Sequence, residues 1–308
     1  MTFPNSARIF RYVFFPTLIL TALCVTNAAF AVADDERTQA RFRMLYDYAL
    51  LANATYLGRD AIEKAVHDQG YSLTVAGEAP GYAVSYFVAT NAADKTQVIA
   101  VRGTSNAENA LVDFAFQLLP DEATGIDLHQ GFAKSARAIY EQIRPKLNKD
   151  YHISTTGHSL GGAAALVLAM YLDVDGYTVD KVITFGQPKV TNITGSLKFE
   201  HLNVTRVVRP KDMVPLVPPL DPLDLKNLSI FWHIGTEIIL LDGDRYAEIN
   251  GIDSMLRATS FLNKTPNEEN LQNHMMAGYL SLIKQKLDHA ERVPWKNDFN
   301  FFGWGSKP

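Results

Sequence analysis

A serine flanked by two glycines stands near the middle of the chain. Gly157, Ser159 and Gly161 have the spacing G-x-S-x-G within the stretch TTGHSLGGAAALVLAMYL. A strand-like segment precedes the motif and an almost wholly apolar, helix-like segment follows it, which is typical of a nucleophilic serine on a sharp turn. Side chains at the two glycines would collide in such a turn, and the helix N-terminus would direct N–H groups at negative charge forming beside Ser159. The alternative is a glycine-rich turn with an idle serine, because the bare pattern also arises by chance.

A nucleophilic serine needs a base, and the base needs an acid that orients it. In one known chain order, the acid and then the histidine follow the serine. Three acids follow the strand-like segment VTRVV, namely Asp212, Asp221 and Asp224. Asp212 comes first and lies between Pro210 and Pro215, which would stiffen its loop, so the order favours Asp212. An ordinary loop aspartate that bonds its own turn is the alternative interpretation.

Three histidines remain as candidates for the base. His233 enters a strand-like segment, which favours a packed ring, and His289 lies in the charged stretch KLDHAERV, which is typical of a solvated helix surface. His274 follows the last strands and stands at the start of the predicted final helix, where it could reach the sheet edge that carries Ser159. The histidines show no metal-binding spacing such as H-E-x-x-H. Acyl transfer by a serine, an acid and a histidine needs neither a metal nor an organic cofactor, so none is expected.

The elements around these residues predict an α/β fold. A helix is predicted over residues 40–57, a hairpin over 82–101, a helix over 132–147 with Pro145 near its end, and a last helix over 270–287. Between them, strands alternate with helices, which predicts a mostly parallel central sheet flanked by helices in three layers. The helix after Ser159 is apolar on every side and should therefore be buried against the sheet. No linker divides the chain, so residues 34–308 are interpreted as one domain.

The composition narrows the classes of protein. The chain has 308 residues, of which 47% are hydrophobic, so it is long and apolar enough to bury a substantial core. Its formal net charge is −4. It has no basic stripe, so nucleic acid is not an expected partner. Its one cysteine is Cys24, so no disulfide is expected within the domain.

Residues 1–33 have the organisation of a secretory signal peptide. Arg8 and Arg11 precede a short apolar core over 13–25, and the small-residue pattern A-x-A at 31–33 predicts cleavage after Ala33. The remaining domain would be exported, either to the periplasm or outside the cell. An uncleaved membrane anchor is the alternative, because the apolar run is nearly long enough to span a bilayer.

The ordered motifs of the chain resemble those of the class 3, fungal-type lipases of the α/β-hydrolase superfamily. They are VIAVRGTSN, DLHQGFAKS, STTGHSLGGAAA, VITFGQPKVTN, RVVRPKDMVPLVPP, FWHIGTEI and NHMMAGYL. The resemblance implies that Ser159 is the nucleophile, Asp212 the acid and His274 the base. It also implies an oxyanion hole formed by Thr104 and the backbone N–H of Leu160.

The same resemblance implies acyl transfer on ester substrates through an acyl-enzyme, with triacylglycerol as the leading substrate. It further implies a lid helix over the active site, in the stretch SNAENALVDFAFQLLP that begins at Ser105. Ala107, Ala110, Leu111, Phe114 and Leu118 form an apolar face at helical spacing, which would rest on a lipid interface when the lid opens. A permanent core helix is the alternative.

Other functions stay open at this point. A phospholipase A1 or a short-chain or feruloyl esterase would use the same chemistry. A peptidase could use the same triad, and a non-catalytic binding protein could keep the fold.

Overall fold

The computed structural model describes residues 17–104, 117–218, 230–259 and 268–295. Most of the predicted lid helix lies outside the described residues, as do Asp221 and Asp224. Leu118, which the sequence assigned to the apolar face of that helix, lies instead at the start of a strand. Pro120 follows within the same strand and has no N–H to continue a helix, so the helical prediction is wrong at Leu118.

Nine strands of the described chain form one sheet in the order β1-β2-β3-β6-β7-β9-β11-β12-β13. They are β1 (Ser72–Glu78), β2 (Ser85–Asn91), β3 (Thr96–Val101), β6 (His152–His158), β7 (Thr178–Phe185), β9 (Val204–Val208), β11 (Thr236–Leu240), β12 (Arg245–Asn250) and β13 (Glu291–Arg292). The predicted hairpin is the antiparallel pair β2–β3, and β11 pairs antiparallel with β12. The hairpin was predictable because two apolar runs flank the polar turn NAADK.

The centre of the sheet is parallel, as predicted. Strands β3, β6, β7, β9 and β11 pair in parallel with one another, in that order. The carboxyl ends of β3, β6, β7 and β9 therefore meet at one edge of the sheet, which is where ligands bind in open α/β folds. Each of these strands is followed at that edge by a residue of the candidate site.

Four short strands form a second sheet in the described chain, in the order β10-β8-β5-β4. They are β4 (Leu118–Asp121), β5 (Ile126–His129), β8 (Thr191–Asn192) and β10 (Phe231–Trp232). This sheet joins the loop that follows β7 to the loop that precedes β11. Leu128 of β5 pairs with β8 and is fully buried.

Helices cover both faces of the large sheet. The described helices are α1 (Thr17–Ala54), α2 (Arg59–His67), α3 (Gln130–Ile143), α4 (Leu160–Val174), α5 (Ile193–Lys198), α6 (Gly251–Thr259), α7 (Glu268–His274) and α8 (Met276–Lys284). Helices α3 and α4 share one core cluster with β3 and β6, whereas α1 and α8 share another with β7, β9 and β11. The predicted three-layer arrangement is therefore confirmed.

Helix α4 is the central element of the core. Every residue from Gly161 to Leu172 is buried, as its uniform apolar character predicted. Burial of each large aliphatic side chain contributes about 1.5–3 kcal/mol relative to exposure, so this helix fixes the position of its own N-terminus beside Ser159.

Helix α3 ends earlier than predicted. It stops at Ile143, and Arg144–Lys146 form a single 3₁₀ turn that contains Pro145. Proline cannot supply the N–H that would continue the α-helix, which accounts for the change. Across the described parts of the chain, none of the helices combines the length and the apolar character needed to span a bilayer.

Candidate active site

The sharp turn predicted around Ser159 is present between β6 and α4. Ser159 alone separates the two elements, and its backbone has φ 60° and ψ −133°. A positive φ is uncommon for a residue with a side chain, and strain of this kind is concentrated at functional sites. The turn directs Ser159 away from the sheet at the carboxyl edge of β6.

The two flanking glycines are required by close approach of the backbone. A Cβ atom on Gly157 would lie 2.5 Å from the carbonyl oxygen of Gly161. A Cβ atom on Gly161 would lie 2.3 Å from the carbonyl oxygen of Val101. Both distances are well below van der Waals contact, so the prediction that side chains would collide here is confirmed.

Asp212 and His274 meet at the edge of the sheet although they lie far apart in sequence. Asp212 follows β9, and its Oδ2 atom lies 2.8 Å from Nδ1 of His274. Its other oxygen, Oδ1, accepts a hydrogen bond from the backbone N–H of Val214 at 2.9 Å. Both side chains are buried, so the carboxylate can hold the imidazole in one orientation and stabilise its protonated form.

Tyr279 is a member of this cluster that the sequence reading missed. Its hydroxyl donates to the same Oδ2 atom of Asp212 at 2.5 Å, and its side chain is fully buried. Burial and the adjacent carboxylate raise the pKa of Tyr279 well above its ordinary value, so the phenol keeps its proton. A lone tyrosine in an otherwise apolar helix was the available signal, because a buried phenol needs a polar partner.

The segment that carries His274 differs from the prediction of one continuous helix. His274 is the last residue of α7, Met275 is extended with ψ 133°, and α8 begins at Met276. The guanidinium of Arg209 supplies the physical reason, because its Nη1 binds the carbonyls of Gln272 and Asn273 and so ends α7. His274 therefore lies at a break between two helices rather than at the start of one.

Ser159 and His274 are brought together by their neighbours. The backbone N–H of Ser159 donates to the carbonyl of Phe185 at 2.9 Å. The next residue, Gly186, lies against the imidazole, since a Cβ atom there would be 2.9 Å from Cε1 of His274. The ring of His158, the residue before the serine, lies 4.5 Å from the His274 ring. Nε2 of His274 is buried and has no hydrogen-bond partner among the described residues, so it is available to a nearby hydroxyl.

Thr104 and Leu160 lie on either side of the serine. A Cβ atom on Gly103 would be 3.0 Å from Cβ of Ser159, so the loop after β3 lies against Ser159. The Oγ1 atom of Thr104 is buried and has no hydrogen-bond partner in the described chain. Leu160 opens α4, and the first N–H groups of a helix have no partner within the helix. These groups are suited to stabilising an oxyanion beside Ser159.

The other two histidines lie in different surroundings. His233 is buried, and its Nε2 atom donates to the carbonyl of Pro215 at 2.7 Å, which agrees with the predicted packed ring. His289 is exposed and contacts Asp35 and Asp244 at 3.4 Å and 3.8 Å, in an irregular segment after α8 rather than on a helix. Within the described residues, no group of three or more potential ligands could hold a metal ion.

The loop that carries Asp212 is held from below by a buried lysine. Nζ of Lys189 donates to the carbonyls of Leu216 and Pro218 at 2.8 Å and 2.7 Å. Burial, followed by the charges of Arg206 and Arg257, lowers the pKa of Lys189 from 10.5 to about 7. The loop is thus fixed by direct hydrogen bonds to its carbonyl groups.

A buried ion-pair cluster lies next to this lysine. Glu237 pairs with Arg206 at 2.9 Å and also with Arg257, and all three side chains are almost fully buried. Burial alone raises the pKa of Glu237, but the charges of Arg257 and Arg206 outweigh it and leave the pKa below its ordinary value. Glu237 is therefore a carboxylate that neutralises two interior cations.

A mostly parallel sheet flanked by helices, with a serine on a strand–turn–helix elbow and an acid–histidine pair at the same edge, defines the α/β-hydrolase fold class. Comparison with known proteins narrows this class. Residues 98–221 match the family model described as Lipase (class 3). These residues include most of β3, all of β6, α4, β7 and β9, and both Ser159 and Asp212.

Two curated relatives and one solved structure illustrate the similarity. "Secreted mono- and diacylglycerol lipase 1" of Fusarium solani is 34% identical over 150 residues, which is 44% of this chain and 44% of the relative. "Phospholipase A1 PLIP2, chloroplastic" of Arabidopsis thaliana is 26% identical over 42% of this chain and 20% of the relative. The crystal structure of Lip2 lipase from Yarrowia lipolytica has a TM-score of 0.55 and 27% identity, over 67% of this chain and 80% of that one.

The match to the class 3 lipase model over residues 98–221 agrees with the family resemblance of the motifs. The match covers less than half of the length of these curated relatives.

Proposed function

We propose that this protein is a serine ester hydrolase that acts on lipids, with triacylglycerol as its leading substrate. Ser159 is the nucleophile, His274 the base and Asp212 the acid. The observation that carries the proposal is the 2.8 Å contact between Asp212 and Nδ1 of His274, together with an unpartnered Nε2 beside the serine elbow.

In this mechanism, Nε2 of His274 takes the proton of the Ser159 hydroxyl as the oxygen attacks the ester carbonyl. Asp212 holds the Nδ1–H tautomer and stabilises the imidazolium. The carbonyl oxygen becomes negative and accepts hydrogen bonds from Thr104 and the N–H of Leu160. One such donor is worth on the order of 3 kcal/mol of transition-state stabilisation. His274 then protonates the leaving alcohol. In the second half of the reaction, His274 takes a proton from water as the water attacks the acyl-enzyme, and then returns a proton to Ser159 as the carboxylic acid leaves.

Exposed apolar side chains near the site support a lipid substrate and transient contact with a lipid interface. Met275 directly follows His274 and is 62% exposed, and Leu57 ends the segment after α1 and is 51% exposed. Met275 adjoins His274 in the chain, and Leu57 adjoins Tyr56, whose hydroxyl bonds the ring of His158. A substrate presented at an oil–water interface would cover them, with a free-energy gain of about 25 cal/mol per Å² of apolar surface.

Labelling with a fluorophosphonate probe tests the chemistry. Wild type should label at Ser159, whereas Ser159→Ala should not. Ser135→Ala is the matched control, because Ser135 is also buried but bonds the carbonyl of Phe132 within α3. A non-catalytic binding protein would give no label in wild type, and that result would contradict the proposal.

Substrate class is tested next with emulsified triacylglycerol, diacylglycerol and monoacylglycerol, and with p-nitrophenyl esters of increasing chain length. Hydrolysis of triacylglycerol that rises sharply above its solubility limit is the expected result. Hydrolysis confined to short soluble esters would favour an esterase, and hydrolysis of peptides alone would favour a peptidase.

A phospholipase A1 activity is the second candidate, because the Arabidopsis relative bears that name. Phosphatidylcholine vesicles measured beside triacylglycerol emulsions distinguish the two. Preferential release of the acyl chain from the first position of the phospholipid would favour the second candidate.

We also propose that the protein is exported after cleavage of residues 1–33. The name of the Fusarium relative states that it is secreted, which supports this destination. Sequencing the N-terminus of exported protein tests it: a chain that begins at Asp34 is expected, whereas a membrane-bound chain that retains Cys24 would indicate an uncleaved anchor.

A further inference from the structure

His158 occupies the variable position inside the serine motif, yet its side chain is fully engaged. Its Nδ1 atom lies 2.8 Å from the hydroxyl of Tyr56, and its Nε2 atom lies 2.7 Å from the backbone carbonyl of His274. It thereby joins the end of the N-terminal segment after α1 to the residue that ends α7.

The protons in this arrangement can be assigned from the chemistry of the partners. A backbone carbonyl only accepts hydrogen bonds, so Nε2 of His158 must carry the hydrogen that it donates to His274. Burial, followed by the nearby His274, holds the pKa of His158 well below its ordinary value, so the ring is neutral and its Nδ1 atom is an acceptor. The hydroxyl of Tyr56 is therefore the donor to Nδ1.

Tyr56 also contacts the loop that leads to Thr104. Burial raises the pKa of Tyr56 to about 12, and a hydrogen bond with the backbone of Gly103 opposes that shift. A Cβ atom on Gly103 would lie 2.6 Å from the Tyr56 hydroxyl. The phenol oxygen thus touches the loop backbone on one side while its hydrogen is given to His158 on the other.

We propose that Tyr56 and His158 are positioning residues that hold the loop of Gly103 and Thr104 and the backbone of His274 at a fixed separation around Ser159. The proposal rests on the proposed function, because it assigns the loop to the oxyanion and His274 to the proton transfer. Directed hydrogen bonds run from Tyr56 through His158 to the backbone of His274, and the phenol oxygen of Tyr56 lies against the backbone of Gly103. These contacts couple the group that stabilises negative charge to the group that accepts the proton.

The neutral state of His158 has a second role in this arrangement. Its ring lies 4.5 Å from the ring of His274, which becomes positive during catalysis. A charged neighbour at that distance would oppose the imidazolium, whereas a neutral ring locked in one tautomer does not. The other titratable rings in contact with it among the described residues are those of Tyr56 at 5.8 Å and Tyr279 at 5.9 Å, and both phenols are uncharged.

The test compares two Tyr→Phe variants from the same N-terminal segment. Tyr56→Phe should lower kcat for a p-nitrophenyl ester about three- to tenfold with little change in KM, as expected for loss of one positioning hydrogen bond. Tyr48→Phe is the matched control, since Tyr48 also lies in this segment and its hydroxyl faces Ser154 rather than His158. It should keep kcat within about twofold at a comparable change in melting temperature.

A double-variant comparison separates positioning from general destabilisation. If Tyr56 acts through His158, adding Tyr56→Phe to His158→Gln should lower kcat by less than it does in wild type. Equal losses of kcat in Tyr56→Phe and Tyr48→Phe, or an unchanged kcat in Tyr56→Phe, would overturn the proposal.

A spectroscopic measurement tests the arrangement independently of activity. In ¹⁵N spectra of histidine-labelled Ser159→Ala protein, His158 should be the Nε2–H tautomer and should not titrate between about pH 5 and 8. An Nδ1–H tautomer, or titration in that range, would refute the proposed hydrogen bonds of His158 even if the enzyme is active. If wild type shows the expected tautomer but no esterase activity, the proposed function is refuted, and the positioning role of Tyr56 and His158 in catalysis is refuted with it.

Discussion

The hydroxyl of Tyr279 and the imidazole of His274 share one oxygen of Asp212. The distances are 2.5 Å and 2.8 Å, and both donors reach Oδ2 while Oδ1 is held by the backbone of Val214. The carboxylate is buried and is oriented by these three donors rather than by solvent. Its orientation therefore depends on Tyr279 as well as on its own loop.

Tyr279→Phe tests this dependence. Loss of a charge-assisted hydrogen bond is expected to cost about 1.5–3 kcal/mol, because the Asp212 carboxylate then loses one donor in a buried site. The cost should be divided between folding stability and kcat, with kcat lowered about tenfold and KM little changed. Steady-state kinetics and urea denaturation measure the two parts.

Tyr140→Phe is the control for this variant. It removes a hydroxyl that bonds Asp175, remote from the site. It should reduce stability without lowering kcat. A Tyr279→Phe enzyme with wild-type kcat would show that Tyr279 does not orient the acid.

Gly161→Ala tests the close approach at the serine turn. The added methyl group would lie 2.3 Å from the carbonyl oxygen of Val101 and 2.4 Å from the carbonyl carbon of Arg102. Both are backbone atoms that a side-chain rotation cannot move aside, so the turn itself must shift. A loss of about 1–3 kcal/mol in stability and at least about a tenfold slower fluorophosphonate labelling are expected.

Gly58→Ala serves as the comparison, because its added Cβ atom meets nothing within 4 Å. It should label at the wild-type rate. Normal labelling of folded Gly161→Ala would contradict the need for glycine at this position.

Glu237→Gln tests the buried ion-pair cluster. The substitution leaves Arg206 and Arg257 without their shared carboxylate in the interior. Breaking a buried pair in this way typically costs about 3–5 kcal/mol. Urea denaturation at neutral pH should show this loss.

Glu248→Gln provides the scale for this measurement, because Glu248 pairs with Arg41 at a partly exposed position. Its cost should be about 1 kcal/mol or less. Similar losses in the two variants would mean that the buried cluster is not a major stabilising element.

Lys189→Met tests the lysine beneath the acid loop through the pH dependence of stability. The pKa of Lys189 is lowered to about 7 in the folded state from 10.5. Above pH 7 the unfolded chain therefore binds a proton that the folded chain does not. The contribution of Lys189 to the free energy of unfolding therefore rises with pH between about 7 and 10.5, and it does not change with pH below 7.

The free energy of unfolding of wild type minus that of Lys189→Met should thus increase by about 1 kcal/mol per pH unit between pH 7 and pH 9. Lys211→Met is the control, because Lys211 is exposed and its hydrogen bond to Glu269 raises the pKa of its amine. Its difference from wild type should be constant over the same range. A constant difference for Lys189→Met would show that this amine is not neutralised by burial.

The sequence predicted the elements that depend on local pattern. The hairpin β2–β3 follows from two apolar runs on either side of a polar turn, and the buried helix α4 follows from its uniform apolar character. The strand–turn–helix setting of Ser159 was also predictable, since both glycines and the flanking elements lie within one short stretch.

Contacts between distant segments were not predictable in the same way. Tyr56 and His158 are separated by 102 residues, and Asp212 and Tyr279 by 67 residues. No local pattern links such pairs. The break at Met275 was missed for a related reason, because apolar residues continue across it and the group that ends α7 is Arg209, from another part of the chain.

The backbone of Ser159 restricts which atoms can replace its oxygen. At φ 60° a side chain branched at Cβ is strongly disfavoured. Threonine would keep an alcohol at this position yet distort the main chain beneath it. Cysteine would keep the main chain and exchange oxygen for sulfur. At this position, therefore, Ser159→Thr preserves the hydroxyl group but disrupts the backbone, whereas Ser159→Cys replaces the oxygen by sulfur and preserves the backbone.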